Sequence, residues 1–314
     1  MSDTFFTSSP HWAWYIIWYF FVGGIAGCGF FIAALLHFFG RPEDRPVVQL
    51  GYYLAWVGAL VSGALLTLDL NRPERFWHML IQSHTGAPMF KSWSPMSVGA
   101  WGLLLFGAFA TLAALGAAAE EGRWPTRMKP LAWRPVRALG RGVPAALVAG
   151  AGSLFGLFLA GYTGVLLAVT NRPLWADSQL LGALFLFSGA STAAATLILL
   201  SQWRGESHPA SLHWLVRFDR GALSLELVTL VAFVVSLGPV ARALVGWWGL
   251  VLLVGVVGAG IVAPLVLERR PHASGHGHLA RAAALVLVGG FLLRVALILS
   301  SNEIHAVGSG ITRP

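Results

Sequence analysis

The sequence predicts an all-α integral membrane protein: a bundle of eight transmembrane helices with both termini on the periplasmic side. Only 11% of its 314 residues are charged and 56% are hydrophobic, whereas roughly 25% of an average soluble domain is charged. The apolar residues form long unbroken runs, without the alternation typical of a membrane β-barrel. The net charge of +8 comes from basic residues between these runs, which favours membrane topology over nucleic-acid binding.

Eight segments reach the length of about 20 apolar residues that a helix needs to cross the hydrocarbon core. Most of them are bounded by Pro, Gly or Arg, which commonly flank helix ends. No polar connection is long enough for a soluble domain, so residues 1–314 are interpreted as one membrane domain. In chain order the predicted helices are about 12–39, 47–69, 94–118, 142–169, 174–202, 221–238, 243–267 and 279–300.

The distribution of Lys and Arg predicts the orientation. Fourteen of these residues lie in or beside the loops that follow odd-numbered helices, and six lie in the remaining loops and termini. Basic residues concentrate on the cytoplasmic side of a membrane protein. The loop 119–141 is therefore expected in the cytoplasm of a bacterial inner-membrane protein, and the turn after helix 2 is expected in the periplasm.

Charged residues inside the predicted spans are candidates for function. Glu226 lies in helix 6, Arg294 lies in helix 8, and Asp69 closes helix 2. A charge within a span costs at least about 2.5–3.5 kcal/mol, so such residues usually face the bundle interior and pair. For Glu226 and Arg294, two interpretations stay open: part of a proton path, or a polar contact that fixes helix packing.

Cofactor ligands are scarce in this sequence. The single cysteine, Cys28, excludes an intramolecular disulfide and a cysteine framework for an iron–sulfur cluster. None of the ten histidines lies in the middle of a span, so a b-type haem held by two facing helices is not expected. The sequence predicts no haem, no iron–sulfur cluster and no metal site in this protein.

Three tyrosines lie within spans near the outer surface: Tyr15 and Tyr19 in helix 1, and Tyr162 in helix 4. Tyr15 and Tyr19 are one helical turn apart and are expected on one face. A tyrosine hydroxyl at this depth needs a hydrogen-bond partner. The partner is either another protein group or a ligand that carries a carbonyl.

Five motifs in order resemble the NrfD/PsrC family, the integral membrane subunits of polysulfide-reductase-type complexes. The resemblance covers nearly the whole sequence, from helix 1 to helix 8. The motifs are DLNRPERFW at 69–77, SPMSVGAWG at 94–102, GYTG at 161–164, NRPLW at 171–175 and GGFLLR at 289–294.

The resemblance implies an eight- to ten-helix, haem-free subunit that binds a quinone, menaquinone or ubiquinone, near its periplasmic face. It also implies two partners: a four-cluster ferredoxin-like iron–sulfur subunit docked on that face, and a molybdenum or tungsten catalytic subunit beyond it. Tyr162 matches the helix-4 tyrosine that hydrogen-bonds the quinone. Tyr19 and Ile16 stand where the polysulfide-reductase type has histidine and asparagine, so helix 1 departs from that pattern.

The expected function is therefore quinone exchange in an oxidoreductase complex within the lipid membrane. Tyr162 would orient the quinone with Tyr19 and Tyr15 nearby, and Asp69 or His78 would exchange protons with water. The resemblance also assigns Arg72 and Arg75 to the family's acidic–arginine turn at the outer surface. The alternatives are a secondary transporter or proton channel, or a passive anchor. The terminal substrate stays open among formate, which a formate dehydrogenase would oxidise, and polysulfide, tetrathionate or arsenate.

Overall fold

The part of the protein that the structure describes forms a bundle of eight long helices. The computed structural model describes residues 12, 14–70, 72–122, 138–205, 208–269 and 276–308, and these are helical apart from turns and one isolated bridge between Ile81 and Pro88. A short 3₁₀ helix, Pro73–Met79, follows α2. The helices are α1 Trp14–Phe39, α2 Arg45–Asp69, α3 Pro95–Glu120, α4 Gly142–Ala168, α5 Leu181–Arg204, α6 Pro209–Ser236, α7 Trp247–Arg269 and α8 His276–Gly308.

Within the described residues, seven helices are long and apolar enough to cross a membrane: α1 to α5, α7 and α8. Helix α6 is 28 residues long but carries Arg217, Asp219, Arg220 and Glu226. The all-helical architecture agrees with a multi-pass membrane bundle. The count of eight spans and the periplasmic position of the termini remain predictions.

Two helices begin more than five residues away from the predicted positions. Helix α5 begins at Leu181 rather than 174, because residues 172–180 form turns in which the Leu174 amide donates to the Asp177 carboxylate at 2.8 Å. Helix α6 begins at Pro209 rather than 221, since His208 caps it by accepting a hydrogen bond from the Ala210 amide. The charged residues after position 209 suggest a loop, but they belong to the first turns of a helix.

Helix α1 lies at the centre of the bundle. It packs against α2, α4, α5 and α8, and most of its residues are buried. Gly27 of α1 faces Gly156 of α4, and a β-carbon on Gly156 would lie 2.6 Å from the carbonyl oxygen of Gly27. The glycines of helix 1 therefore permit backbone-to-backbone packing, which is typical of small residues in membrane helices.

The two ends of the bundle differ in chemistry. At one end, Glu120 lies 3.6 Å from Arg45 and 3.7 Å from Arg141. We call the opposite end the Asp69 end; there the Trp12 ring stacks on Trp175, with centroids 5.5 Å apart. Residues 123–137, which hold most cations of the loop predicted to be cytoplasmic, lie outside the described residues.

Candidate functional site

A cavity of about 560 Å³ opens at the Asp69 end, between α1, α2, α3 and α4. Most of its lining is apolar, and Phe76, Met79 and Leu80 from the 3₁₀ turn after α2 contribute to its mouth. A largely apolar pocket with a few convergent polar groups is the usual form of a small-molecule site. The polar or amphipathic side chains that line it are Trp12, Tyr19, Trp56, Thr67, Asp69, Thr111 and Tyr162.

Tyr162 forms part of the cavity wall and also joins two helices. Its hydroxyl donates a hydrogen bond to the Pro95 carbonyl in the first turn of α3. A β-carbon on Gly99 would overlap the Tyr162 ring, and one on Gly102 would overlap the Phe158 ring. The glycines of the motif at 94–102 therefore make room for two aromatic rings of α4.

Tyr19 is 2% exposed and lines the same cavity. It lies close enough to Tyr162 for the two hydroxyls to interact electrostatically. Its hydroxyl forms no hydrogen bond with any residue that the structure describes. The Tyr19 hydroxyl can therefore donate a hydrogen bond to a ligand in the cavity, whereas the Tyr162 hydroxyl already donates one to the Pro95 carbonyl.

The structure does not bring Tyr15 into this cavity. Tyr15 is 49% exposed and does not line the cavity, although it lies one helical turn from Tyr19. Trp12 lines the cavity mouth instead, stacked on Trp175.

Asp69 lies at the cavity mouth and is exposed to solvent. Arg72, Arg75 and His78 do not line the cavity, although they belong to the same turn. His78 stacks on Trp77, and its Nδ1 atom lies 3.1 Å from the Arg75 carbonyl oxygen. Of the polar residues predicted in this turn, Asp69 is the one that contacts the cavity.

Glu226 and Arg294 are both buried and connect through the serines of α5. The Ser191 hydroxyl donates to the Glu226 carboxylate at 2.9 Å, and Ser188 lies beside the same carboxylate. Arg294 Nη1 donates to the Ser188 hydroxyl at 3.1 Å. The negative and positive charges are therefore one serine apart in the middle of the bundle.

The other contacts of Arg294 explain the motif at 289–294. Its Nε donates to the Phe20 carbonyl at 3.1 Å, and its Nη1 donates to the Gly290 carbonyl at 2.7 Å. The guanidinium also lies over the Phe185 ring, 5.2 Å from its centroid. A β-carbon on Gly24 would lie 3.0 Å from Nη2, so glycine at this position makes room for the charge.

Comparison with known proteins decides the family. The family model described as polysulphide reductase, NrfD, matches residues 3–305. The chain belongs to the NrfD family. Protein NrfD of Escherichia coli is 28% identical over 95% of this sequence and 96% of its own length. A polysulfide reductase chain of Wolinella succinogenes is 28% identical, over 91% of this sequence and 93% of its own.

A shorter match involves a selenate reductase subunit of Mesobacillus selenatarsenatis, 25% identical over 24% of this sequence and 18% of its own length. The resemblance to the NrfD family predicted from the motifs is therefore confirmed. In this NrfD-family protein, the motif at 94–102 and Tyr162 meet at the cavity. The motif at 289–294 instead supplies Arg294, which lies in the interior of the bundle.

Two buried carboxylates of the NrfD-family protein are not predicted from the sequence. Asp219 of α6 lies beside Glu268 of α7, and Arg220 Nε is 3.7 Å from the Glu268 carboxylate. The predicted start of helix 6 at 221 leaves Asp219 in a loop. The spacing of seven residues from Asp219 to Glu226 could have indicated that both lie on one face of a helix, because seven residues make two turns.

Among the described residues, no three His, Cys, Asp or Glu side chains lie close enough together to hold a metal ion. The Cys28 thiol is buried and points to the Leu186 carbonyl, 3.7 Å away. The polar groups near the cavity mouth include two phenols and one carboxylate, which suit hydrogen bonding and proton exchange.

Proposed function

We propose that this protein is the haem-free, quinone-reactive membrane subunit of a multi-subunit respiratory oxidoreductase in the bacterial inner membrane. The observation that carries the proposal is the cavity of about 560 Å³, apolar along its length, with Tyr19, Tyr162 and Asp69 near its mouth. A quinone combines an apolar body with two carbonyl oxygens. Such a molecule matches an apolar cavity with few polar groups.

The two tyrosines have different roles in this proposal. The Tyr19 hydroxyl donates a hydrogen bond to a quinone carbonyl, because it donates none to a described residue. Tyr162 already donates to the Pro95 carbonyl, so its oxygen accepts a hydrogen bond from a quinol hydroxyl. The pair thus holds both redox forms of the ring with little rearrangement of the protein.

The reaction exchanges two electrons and two protons. A quinone would take up two electrons, one at a time, from the iron–sulfur clusters of the partner and two protons from water to become a quinol, and the reverse reaction would release them. Asp69 carries protons between the cavity and the aqueous phase, since it is the carboxylate at the mouth. His78 lies outside the cavity, so any proton it exchanges passes through Asp69 or solvent.

The proposed partners are a four-cluster ferredoxin-like iron–sulfur subunit and, beyond it, a molybdenum or tungsten catalytic subunit. The names of two relatives support a complex, since one is a component of a polysulfide reductase and the other is a component of a selenate reductase. Loops 70–93 and 170–175 form much of the docking surface in this proposal, because Phe76, Met79 and Leu80 line the cavity mouth and Trp175 stacks on Trp12 there. Arg72 and Arg75, which are exposed there, are placed to contact an acidic partner surface.

A second activity within the same complex is suggested by the buried contact between Glu226 and Arg294. Charges inside membrane helices commonly mark proton paths. The series from Arg294 through Ser188 and Ser191 to Glu226 consists of groups that can donate and accept protons or hydrogen bonds. We propose that Glu226 exchanges protons within the bundle interior, with Arg294 as its fixed counter-charge.

The proposal is tested by comparing two tyrosines one turn apart on α1. Tyr19→Phe removes the free hydroxyl from the cavity, and Tyr15→Phe removes a hydroxyl from the exposed face as the matched control. One hydrogen bond contributes about 0.5–1.5 kcal/mol, so Tyr19→Phe should raise the KM for quinone about two- to tenfold while Tyr15→Phe matches wild type. Equal quinone kinetics in both variants and wild type would remove Tyr19 from the site.

A further inference from the structure

The cavity extends much deeper than a quinone ring requires. Along α3 its lining residues run from Met96 to Thr111, and along α2 they run from Asp69 back to Trp56. Fifteen residues of α-helix rise about 22 Å. The tyrosines and Asp69 lie near the mouth, so most of this length lies beyond any ring held by Tyr19 and Tyr162.

Among the described residues, the deep part of the cavity offers no charged side chain and no hydroxyl that lacks a hydrogen-bond partner. The Thr111 hydroxyl there donates to the Gly107 carbonyl at 2.7 Å, and Thr67, nearer the mouth, donates to the Gly63 carbonyl at 2.8 Å. The rest of this wall is made of Leu, Ala and Gly, with the amphipathic indole of Trp56. Burying a polar group here without a partner is costly. This deep part of the cavity, which we call the α2–α3 groove, therefore suits an apolar occupant.

The groove opens sideways between α2 and α3. Leu60 is 57% exposed and Leu104 is 45% exposed, although both line it. A β-carbon on Gly63 or on Gly107 would meet no atom of another described segment within 4 Å. The glycines therefore do not serve helix packing, and they keep the groove wide at the side that faces lipid.

We propose that this α2–α3 groove binds the polyprenyl tail of the quinone, with the tail running from the ring at the mouth toward the centre of the bilayer. The inference rests on the proposed function and adds which part of the substrate the groove recognises. The continuity of the groove with the tyrosine site and its apolar lining support this occupant. A lipid acyl chain is the competing occupant that the test distinguishes.

The test narrows the groove without disturbing the fold. Gly63→Leu and Gly107→Leu place a side chain in space that no described segment occupies, and Gly150→Leu on the exposed face of α4 is the control outside the cavity. The assembled complex is assayed with a polyprenyl quinol and with a tailless quinol of the same ring. We expect kcat/KM for the polyprenyl quinol to fall about tenfold in the groove variants, because fewer apolar carbons are buried.

The tailless quinol should lose less than about twofold in the groove variants, and Gly150→Leu should match wild type with both quinols. Equal losses with both quinols, or no loss with either, would overturn the tail assignment and leave the groove to a lipid acyl chain. Wild-type complex that turns over neither quinol would instead overturn the proposed function. These two failures are therefore distinguishable in one set of assays.

A binding measurement gives an independent readout. A quinone with a photoreactive diazirine at the end of a short prenyl tail is irradiated in the assembled complex, and the labelled peptides are identified by mass spectrometry. We expect labels on α2 and α3 around Gly63 and Gly107, and their loss in Gly107→Leu. Labels confined to other helices would contradict the inference.

Discussion

The hydroxyl of Tyr162 donates its hydrogen bond to the carbonyl oxygen of Pro95, joining the C-terminal part of α4 to the first turn of α3. The Tyr162 ring occupies the space left by Gly99 and stacks on Phe158, with centroids 5.3 Å apart. The same ring lines the cavity. Tyr162 thus positions two helices and forms part of the wall that they enclose.

Tyr162→Phe should weaken quinol binding several-fold and slow turnover, while the complex stays assembled. The substitution removes the oxygen that accepts from the quinol hydroxyl, a hydrogen bond worth about 0.5–1.5 kcal/mol, and also leaves the Pro95 carbonyl without its tyrosine partner. Quinol kinetics of the reconstituted complex measure the effect. The partner's activity with a soluble artificial electron carrier should survive. Wild-type quinone kinetics combined with a lower thermal stability would assign Tyr162 a purely structural role.

Glu226→Gln should lower proton-coupled turnover and destabilise the subunit. The amide keeps an acceptor for the Ser191 hydroxyl but removes the charge that compensates buried Arg294. Leaving a buried charge without its partner costs up to about 3–5 kcal/mol for a direct pair, and less here because Ser188 separates the two groups. Thermal unfolding and proton release by the complex in vesicles measure the two effects.

The double variant Glu226→Gln, Arg294→Gln separates these contributions. Removing both charges should restore part of the stability lost in Glu226→Gln, because the uncompensated charge of Arg294 is gone from the bundle. Proton release should stay impaired, since the carboxylate is still missing. Normal turnover and proton release in a correctly assembled Glu226→Gln complex would show that Glu226 has no essential role in proton transfer.

Gly27→Ala should destabilise the bundle by about 1–3 kcal/mol, the usual cost of overpacking. The added methyl group would overlap the backbone of Gly156, which cannot rotate away as a side chain can. Gly150→Ala is the matched control, because a β-carbon there meets only the Phe38 ring at 4.0 Å among the described atoms. The thermal midpoint of the purified complex is the measurement. Equal midpoints for the two variants would contradict tight packing between α1 and α4.

Reporter fusions test the predicted orientation. A fusion at residue 130 should report the cytoplasm and a fusion at the C-terminus should report the periplasm, because fourteen basic residues accompany the odd-numbered loops and six the others. The ion pairs of Glu120 with Arg45 and Arg141 lie at the end predicted to be cytoplasmic. An external residue 130 would reverse the orientation and move the proposed docking surface to the other side.

Hydrophobic runs and glycine motifs predict most of the helices, because membrane spans are defined by length and composition. Helix boundaries near charged residues are harder to predict. Arg217, Asp219 and Arg220 suggest a loop, but they lie within helix α6, and Asp219 and Arg220 meet Glu268 of α7. The turns at 172–180 interrupt an apolar run through side-chain hydrogen bonds that hydropathy does not detect.

The candidate site is only partly predictable from the sequence. Residue type and depth single out Tyr19, Tyr162 and Asp69, which meet at one cavity. Helical spacing alone does not distinguish Tyr19 from Tyr15, since the direction of the bundle interior depends on neighbouring helices. The contact between Glu226 and Arg294 depends on Ser188 and Ser191 of a third helix, so no local pattern predicts it.

The packing of Gly27 on Gly156 also constrains biosynthesis. Gly156 follows Gly27 by 129 positions, so at a synthesis rate of about 5–20 residues per second α4 emerges roughly 6–26 s after the centre of α1. During this interval the small-residue face of α1 lacks its final neighbour. A membrane insertase or lipid must therefore shield that face until α4 enters the bilayer.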